Sequence, residues 1–114
     1  MTPLASVDGR YAQLADRVPQ SLDELAGPIV GAVELPLHLA WSGLRTYDLS
    51  LPRQRMGLYR LVLNEGMRED LARFLDARTL VDLWPTLRTL VGPAVRAVWE
   101  DNFAELAAAR TAAA

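Results

Sequence analysis

The sequence predicts a mainly α-helical domain with a minor β element, on three observations. From Ser50 onward, apolar residues recur at helical spacing between Gly, Pro and polar stops. Between Val33 and Trp41 the period changes to two, with a large apolar residue at every odd position. The 114 residues, 51% hydrophobic and 23% charged, suit one packed core with little room for a second. The predicted architecture is a small helical bundle of four C-terminal helices plus a short N-terminal helix and an edge strand or hairpin at 32–49. All of it falls in one domain, 1–114.

Val7, Tyr11, Leu14, Ala15 and Val18 recur at helical spacing and stop at Pro19, which predicts the N-terminal helix. Ser21-Leu22-Asp23-Glu24 matches a capping box, in which Ser21 and Glu24 each satisfy a free amide at a helix start. Gly27-Pro28 limits that helix to a turn or two. Gly31 then leads into the alternating stretch, where Pro36 cannot donate to a ladder and so restricts any strand to a sheet edge. Thr46 to Leu49 would be the returning arm. The competing reading is a helix that opens at Pro36 and sets Leu37, Trp41 and Leu44 on one face. Such an edge is either completed by a second chain or shielded by the helices that follow.

The four later helices have clear punctuation. Ser50 caps the first, with Pro52 in its first turn and Gly66 as its stop. Leu58, Leu61 and Val62 form its stripe, with Met56, Tyr59 and Leu63 beside it. Met67, Leu71, Phe74 and Leu75 face inward on the second, leaving Arg68, Glu69, Asp70, Arg73 and Asp76 to water. Thr79 with Asp82 marks the third start, Leu80, Leu83, Trp84 and Leu87 supply its face, and Pro85 must kink or restart it. Pro93 opens the last helix, with Val95, Val98, Trp99, Asn102, Phe103 and Leu106 buried and a frayed tail at 107–114.

Composition excludes several chemistries. With no cysteine there are no disulfides, thiolate metal sites or cysteine nucleophiles. Residues 1–5 do not read as a secretory leader, and no apolar run approaches a membrane span, so the expected location is the cytoplasm, with no membrane partner. The net charge of −2 argues against a surface built wholly for nucleic acid, although residues 45–96 carry nine Arg against six acids. One histidine among scattered carboxylates has no known ligand spacing, so neither a metal nor a cofactor is expected.

His38, Ser42 and Asp48 can be drawn as a hydrolase triad, but without a nucleophile elbow or oxyanion loop the expected His38 is structural and no catalytic residue is assigned. Arg53, Arg55 and Arg60 near a helix start are candidates to grip an anion, against the plainer reading of a solvated face. A helix-turn-helix drawn from 67–76 into 80–90 would offer Leu80, Val81, Leu83, Trp84 and Leu87 to DNA, which reads as core. Trp84 and Trp99 are core residues, whereas Trp41 either packs inside or anchors a partner.

The strings Leu-Pro-Leu-His-Leu-Ala-Trp-Ser-Gly at 35–43, Pro-Arg-Gln-Arg-Met-Gly-Leu-Tyr-Arg-Leu-Val-Leu-Asn-Glu-Gly at 52–66 and Val-Arg-Ala-Val-Trp-Glu at 95–100 carry a resemblance over residues 20–106. They resemble an uncharacterised family of short, mainly helical proteins from high-GC bacteria associated with genes for nucleotidyltransferase-type toxins. The resemblance implies an antitoxin or accessory role and carries no catalytic residues. The expected function is a noncatalytic protein-interaction module with a protein partner or a second copy of itself. An apolar strip of Leu35, Leu37, Leu39 and Trp41, flanked by Arg45, Arg53 and Arg55, would occlude a groove on the partner. The alternative is a small DNA-binding transcriptional regulator, with nucleic acid as the second choice of partner.

Overall fold

The computed structural model describes residues 5–41 and 43–110, and its six helices and one two-stranded sheet make a mainly α fold with a minor β element. Helix α1 (Ala5–Ala15) ends where expected, because Pro19 offers no amide to continue it. It packs on α5 (Pro93–Asn102), and the Tyr11 hydroxyl donates to Asp101 at 2.9 Å. The capping box produces a single 3-10 turn, Leu22–Glu24. Ser21 accepts from the Asp23 amide, while Glu24 reaches back to the Gln20 amide and also pairs with Arg68 at 3.0 Å.

The chain then crosses the end of α3 (Arg68–Phe74), where the amides of Ala26 and Gly27 donate to the carbonyls of Ala72 and Leu75, each at 2.8 Å. Gly27 is required there by close approach: a Cβ would collide with the Phe74 backbone. Strand β1 (Ala32–Glu34) pairs antiparallel with β2 (Thr46–Asp48), with Val33 opposite Tyr47 and both facing the core. The alternation from Val33 to Trp41 is therefore a strand for its first residues only. Pro36 has no amide for a ladder and a φ suited to a helical start, and its carbonyl accepts from both Leu39 and Ala40 to close one turn. The strand reading holds for residues 32–34, and in place of the competing helix there is one turn after Pro36.

Helix α2 (Pro52–Glu65) buries Leu58, Tyr59, Val62 and Leu63. Ser50 does not cap it, because its amide and hydroxyl both donate to Asp48 at 2.9 and 2.7 Å, leaving Leu51 at the cap position. In α3, Asp70 is buried at 7% exposure rather than facing water, and it accepts from the Met67 amide, while Met67 is exposed instead of packed. Helix α4 (Ala77–Leu87) starts two residues before Thr79: Asp76 is its cap and takes both the amide and the hydroxyl of Thr79. Pro85 does not restart α4, which runs on to Leu87.

The predicted last helix is two. Phe103 adopts an extended conformation that ends α5 and turns its ring inward, 5.2 Å from Trp99 between centroids, before α6 (Ala104–Ala109) begins. Asn102 is consequently exposed, with its amide donating to the Val98 carbonyl, and is not part of the buried stripe. The tail does not fray from Ala107, because burial of Leu106 and Ala109 carries α6 to Ala109; residues 111–114 lie outside the described residues. Trp84, Trp99, Tyr59 and Leu80 form the centre of the core. Among the described residues, no helix is long and apolar enough to cross a membrane.

One polar cluster ties α4 to α5. Glu100 accepts from the Trp84 indole at 2.9 Å and from the Arg88 guanidinium at 2.6 Å. Burial would raise the Glu100 pKa, but the hydrogen bonds from Arg88 and Trp84, with the nearby Arg charges, hold it below the ordinary carboxylate range. Its folded value thus lies under its unfolded value, so its stabilisation is present above the unfolded value and is lost as pH falls through the folded one. Glu100→Ala, which strands the buried indole N–H and frees Arg88, is expected to cost about 2 kcal/mol at pH 7. The melting temperature of the unaltered chain should drop on acidification below about pH 4.3, and the gap between it and the variant should close there. Calorimetry from pH 7 to pH 3 checks both.

Candidate functional site

Of the eight large hydrophobic residues exposed among the described residues, six lie between Ile29 and Leu51, on and around the hairpin. Soluble surfaces scatter such residues singly, so their concentration in one segment marks it. They fall into two groups because the hairpin separates them. Ile29 and Val30 enter β1 and Leu51 leaves β2, since the Leu49 amide donates to the Gly31 carbonyl at that end. Leu37, Trp41 and Leu44 sit at the other end, where the Leu35 amide donates to the Arg45 carbonyl.

Leu37 and Trp41, four residues apart across the Pro36 turn, are 63% and 75% exposed. Leu35 and Leu39 project the opposite way and are 0% and 2% exposed. The predicted strip is thus split by the turn: Leu37 and Trp41 are available to a partner, and Leu35 and Leu39 are core residues and are not. Trp41 packs against no core either, because the turn carries it outward.

Beside Leu44 lies a cleft of about 360 Å³ between the 39–47 segment and α2. Leu39, Ala40, Leu44, Tyr47 and Leu61 make its apolar lining, and Arg60, Asn64 and Glu65 its polar side. Gly57 opens it, since a side chain at that position would extend toward Tyr47. Its volume fits one or two inserted side chains better than a large cofactor.

The turn that carries Leu37 and Trp41 is clamped to the bundle by His38. Its Nε2 lies 3.0 Å from both carboxylate oxygens of Asp70, which is itself held by the Met67 amide at the start of α3. His38 is therefore a positioning residue with a partner 32 positions away, and the drawn triad does not assemble. Asp48 is occupied by Ser50, and Ser42 lies outside the described residues.

The arginines are also dispersed. Arg45 faces the Glu34 carboxylate at 3.6 Å, Arg53 borders a shallow surface with Leu51, Pro52 and Gln54, and Arg55 is half-buried with an unpartnered Nε among the described residues. Arg45 and Arg53 flank opposite ends of the hairpin, and Arg60 lines the cleft, so neither the strip's flanks nor the predicted anion grip forms one patch. In the drawn helix-turn-helix, α4 buries Leu80, Trp84 and Leu87 and exposes Arg78, Asp82 and Thr86, a face of mixed charge. Among the described residues, no group of three or more His, Asp or Glu is placed to hold a metal ion.

Sequence reasoning missed Ile29 and Val30 and turned Asp70 to water, whereas Leu44 was grouped with Leu37 and Trp41 in the helix reading. The Ile29-Val30 pair after Gly27-Pro28 belongs to no periodic stripe, and Asp70 stands three residues after Met67 at a helix start; both were readable signals. Protein-family models, curated proteins and solved structures compared with this chain give no match.

Proposed function

We propose that the chain is a noncatalytic protein-interaction module, an antitoxin or accessory subunit that binds and occludes a partner enzyme in the cytoplasm. The observation that carries this reading is the exposed Trp41, held on a clamped turn beside Leu37, Leu44 and an apolar cleft. A large aromatic on a rigid mount loses little entropy on binding, which is what an interface anchor requires. The cleft would receive an apolar side chain of the partner, with Arg60 and Glu65 meeting polar groups at its rim. The resemblance of residues 35–43, 52–66 and 95–100 to proteins associated with nucleotidyltransferase-type toxin genes supports an enzyme of that class as the partner.

The test is co-expression with a nucleotidyltransferase-type toxin of the source organism, followed by size exclusion and an activity assay. A stoichiometric, inhibited complex is expected. Trp41→Ala should weaken it by about 2 kcal/mol, roughly 30-fold in Kd, without changing the melting temperature, because the residue packs on no core. Absence of a complex, or one indifferent to Trp41→Ala, overturns the proposal. DNA retardation that vanishes steeply with salt would instead make the chain a DNA-binding regulator.

A further inference from the structure

The outer edge of β1 carries an unused, self-complementary set of backbone groups. In the hairpin, Leu35 and Gly31 direct their backbone toward β2, bonding Arg45 and Leu49. Antiparallel alternation therefore turns the N–H and C=O of Ala32 and Glu34 the other way. Neither residue has a hydrogen-bond partner on that side among the described residues, and both are exposed. The edge of β2 differs, since the outward Asp48 amide is taken by the Gln54 side chain at 2.7 Å. Asp48 on the β2 edge is thus taken up by residues 51 and 54, whereas both outward residues of β1 are left open.

We infer that this edge pairs with the same edge of a second copy of the chain, joining two hairpins into a four-stranded antiparallel sheet around a two-fold axis at Val33. The register follows from the groups present. Ala32 opposite the second copy's Glu34 is a bonded pair that exchanges two hydrogen bonds, and symmetry repeats it. Every outward group of β1 is then satisfied.

Symmetry argues for a second copy over an unrelated strand. In this register the same two residues, Ala32 and Glu34, supply every donor and acceptor on both sides of the axis, so the edge completes its own twin with no group left over. Edge strands that remain monomeric usually carry a protective charge or an inward-pointing polar group. Here the one charge, Glu34, lies across from Ala32 and is paired with Arg45 of its own chain. Gly31, at φ 91°, and Pro36 limit the ladder to these residues, so the register has no room to slip.

The test uses the whole chain without its enzyme partner, by sedimentation equilibrium and amide hydrogen exchange over a concentration series. A monomer–dimer equilibrium is expected, with the Ala32 and Glu34 amides exchanging at least about tenfold more slowly in the dimer and losing that protection on dilution. Glu34→Pro removes an outward donor and leaves the hairpin's own bonds, so it should yield a folded monomer by circular dichroism. Ala32→Arg sets a cation opposite Glu34 of the second copy and should tighten the dimer severalfold. A monomer at all concentrations, or a dimer whose Ala32 and Glu34 amides stay unprotected, overturns the inference. Trp41→Ala leaves this edge intact and should dimerise normally, which separates failure here from failure of the enzyme-binding proposal.

Discussion

Trp84→Ala is expected to lower stability by about 3–5 kcal/mol, a large part of what a domain of this size possesses. Trp84 is fully buried on α4, which packs against α2 and α6, and its indole reaches Glu100 of α5. Truncation removes one of the two largest side chains of the core and takes one donor from Glu100, a carboxylate already taken out of water. The cavity cannot close cheaply, because α4 is held at its start by Asp76 and at its end by Arg88 on Glu100. Urea unfolding should show a lower midpoint with an unchanged slope. Trp84→Phe separates the terms: it keeps most of the ring and removes the N–H donor, so its loss should be nearer about 1 kcal/mol. Equal losses for the two variants would mean that the hydrogen bond, rather than packing, sets the importance of the site.

Gly27→Ala should cost about 2–3 kcal/mol, far above the usual effect of adding one methyl group. The new Cβ would meet the carbonyl carbon of Phe74 and lie 2.6 Å from the Phe74 oxygen and Leu75 nitrogen. These are backbone atoms, so no rotamer relieves the overlap and the 26–27 segment must lift from α3. Lifting it breaks the paired bonds of Ala26 to Ala72 and Gly27 to Leu75, and loosens the route by which the chain enters the hairpin. Gly9→Ala is the control. Gly9 lies inside α1 with open space around it, so alanine there should raise stability by about 0.5–1 kcal/mol through helix propensity. Thermal denaturation of the two variants side by side checks the contrast.

Both predictions rest on contacts between residues far apart in the chain, and that separation decides what could be read in advance. The helical stripes around Leu58, Trp84 and Trp99 were legible because a period of 3.6 residues specifies a buried face without reference to its neighbours. Pro52 and Pro93 opened their helices for equally local reasons of φ and missing amides, and Gly66 closed α2 with its amide on the Val62 carbonyl. The start of α4 was misread because Thr79 and Asp76 are both good cap residues, and the choice between them is made by where α3 ends and by Tyr59. There the Asp76 amide takes the Tyr59 hydroxyl oxygen as its acceptor at 2.9 Å, which places the turn. The split of the last helix at Phe103 has the same kind of cause, since only the position of Trp99 and the core beneath it makes an extended Phe103 the better packed state.

The candidate site shows the division most plainly. Alternation from Val33 to Trp41 set Leu35, Leu37, Leu39 and Trp41 on one side, because residues two apart share a face of a strand. Pro36 instead starts a turn, in which Leu35 and Leu39 share one side and Leu37 and Trp41 the other, so the single strip is split into two sets. Which set faces inward is not a property of the segment. It depends on His38 reaching Asp70 across 32 residues and on α2 lying beneath Tyr47, and neither contact leaves a trace in local pattern. Residue order alone thus determined a mainly helical domain, its principal stripes and an edge strand with a proline at its end. The tertiary structure alone decided that Trp41 is presented and Leu39 is buried, and that β1 keeps one edge open, because burial and backbone satisfaction are settled between elements and not within them.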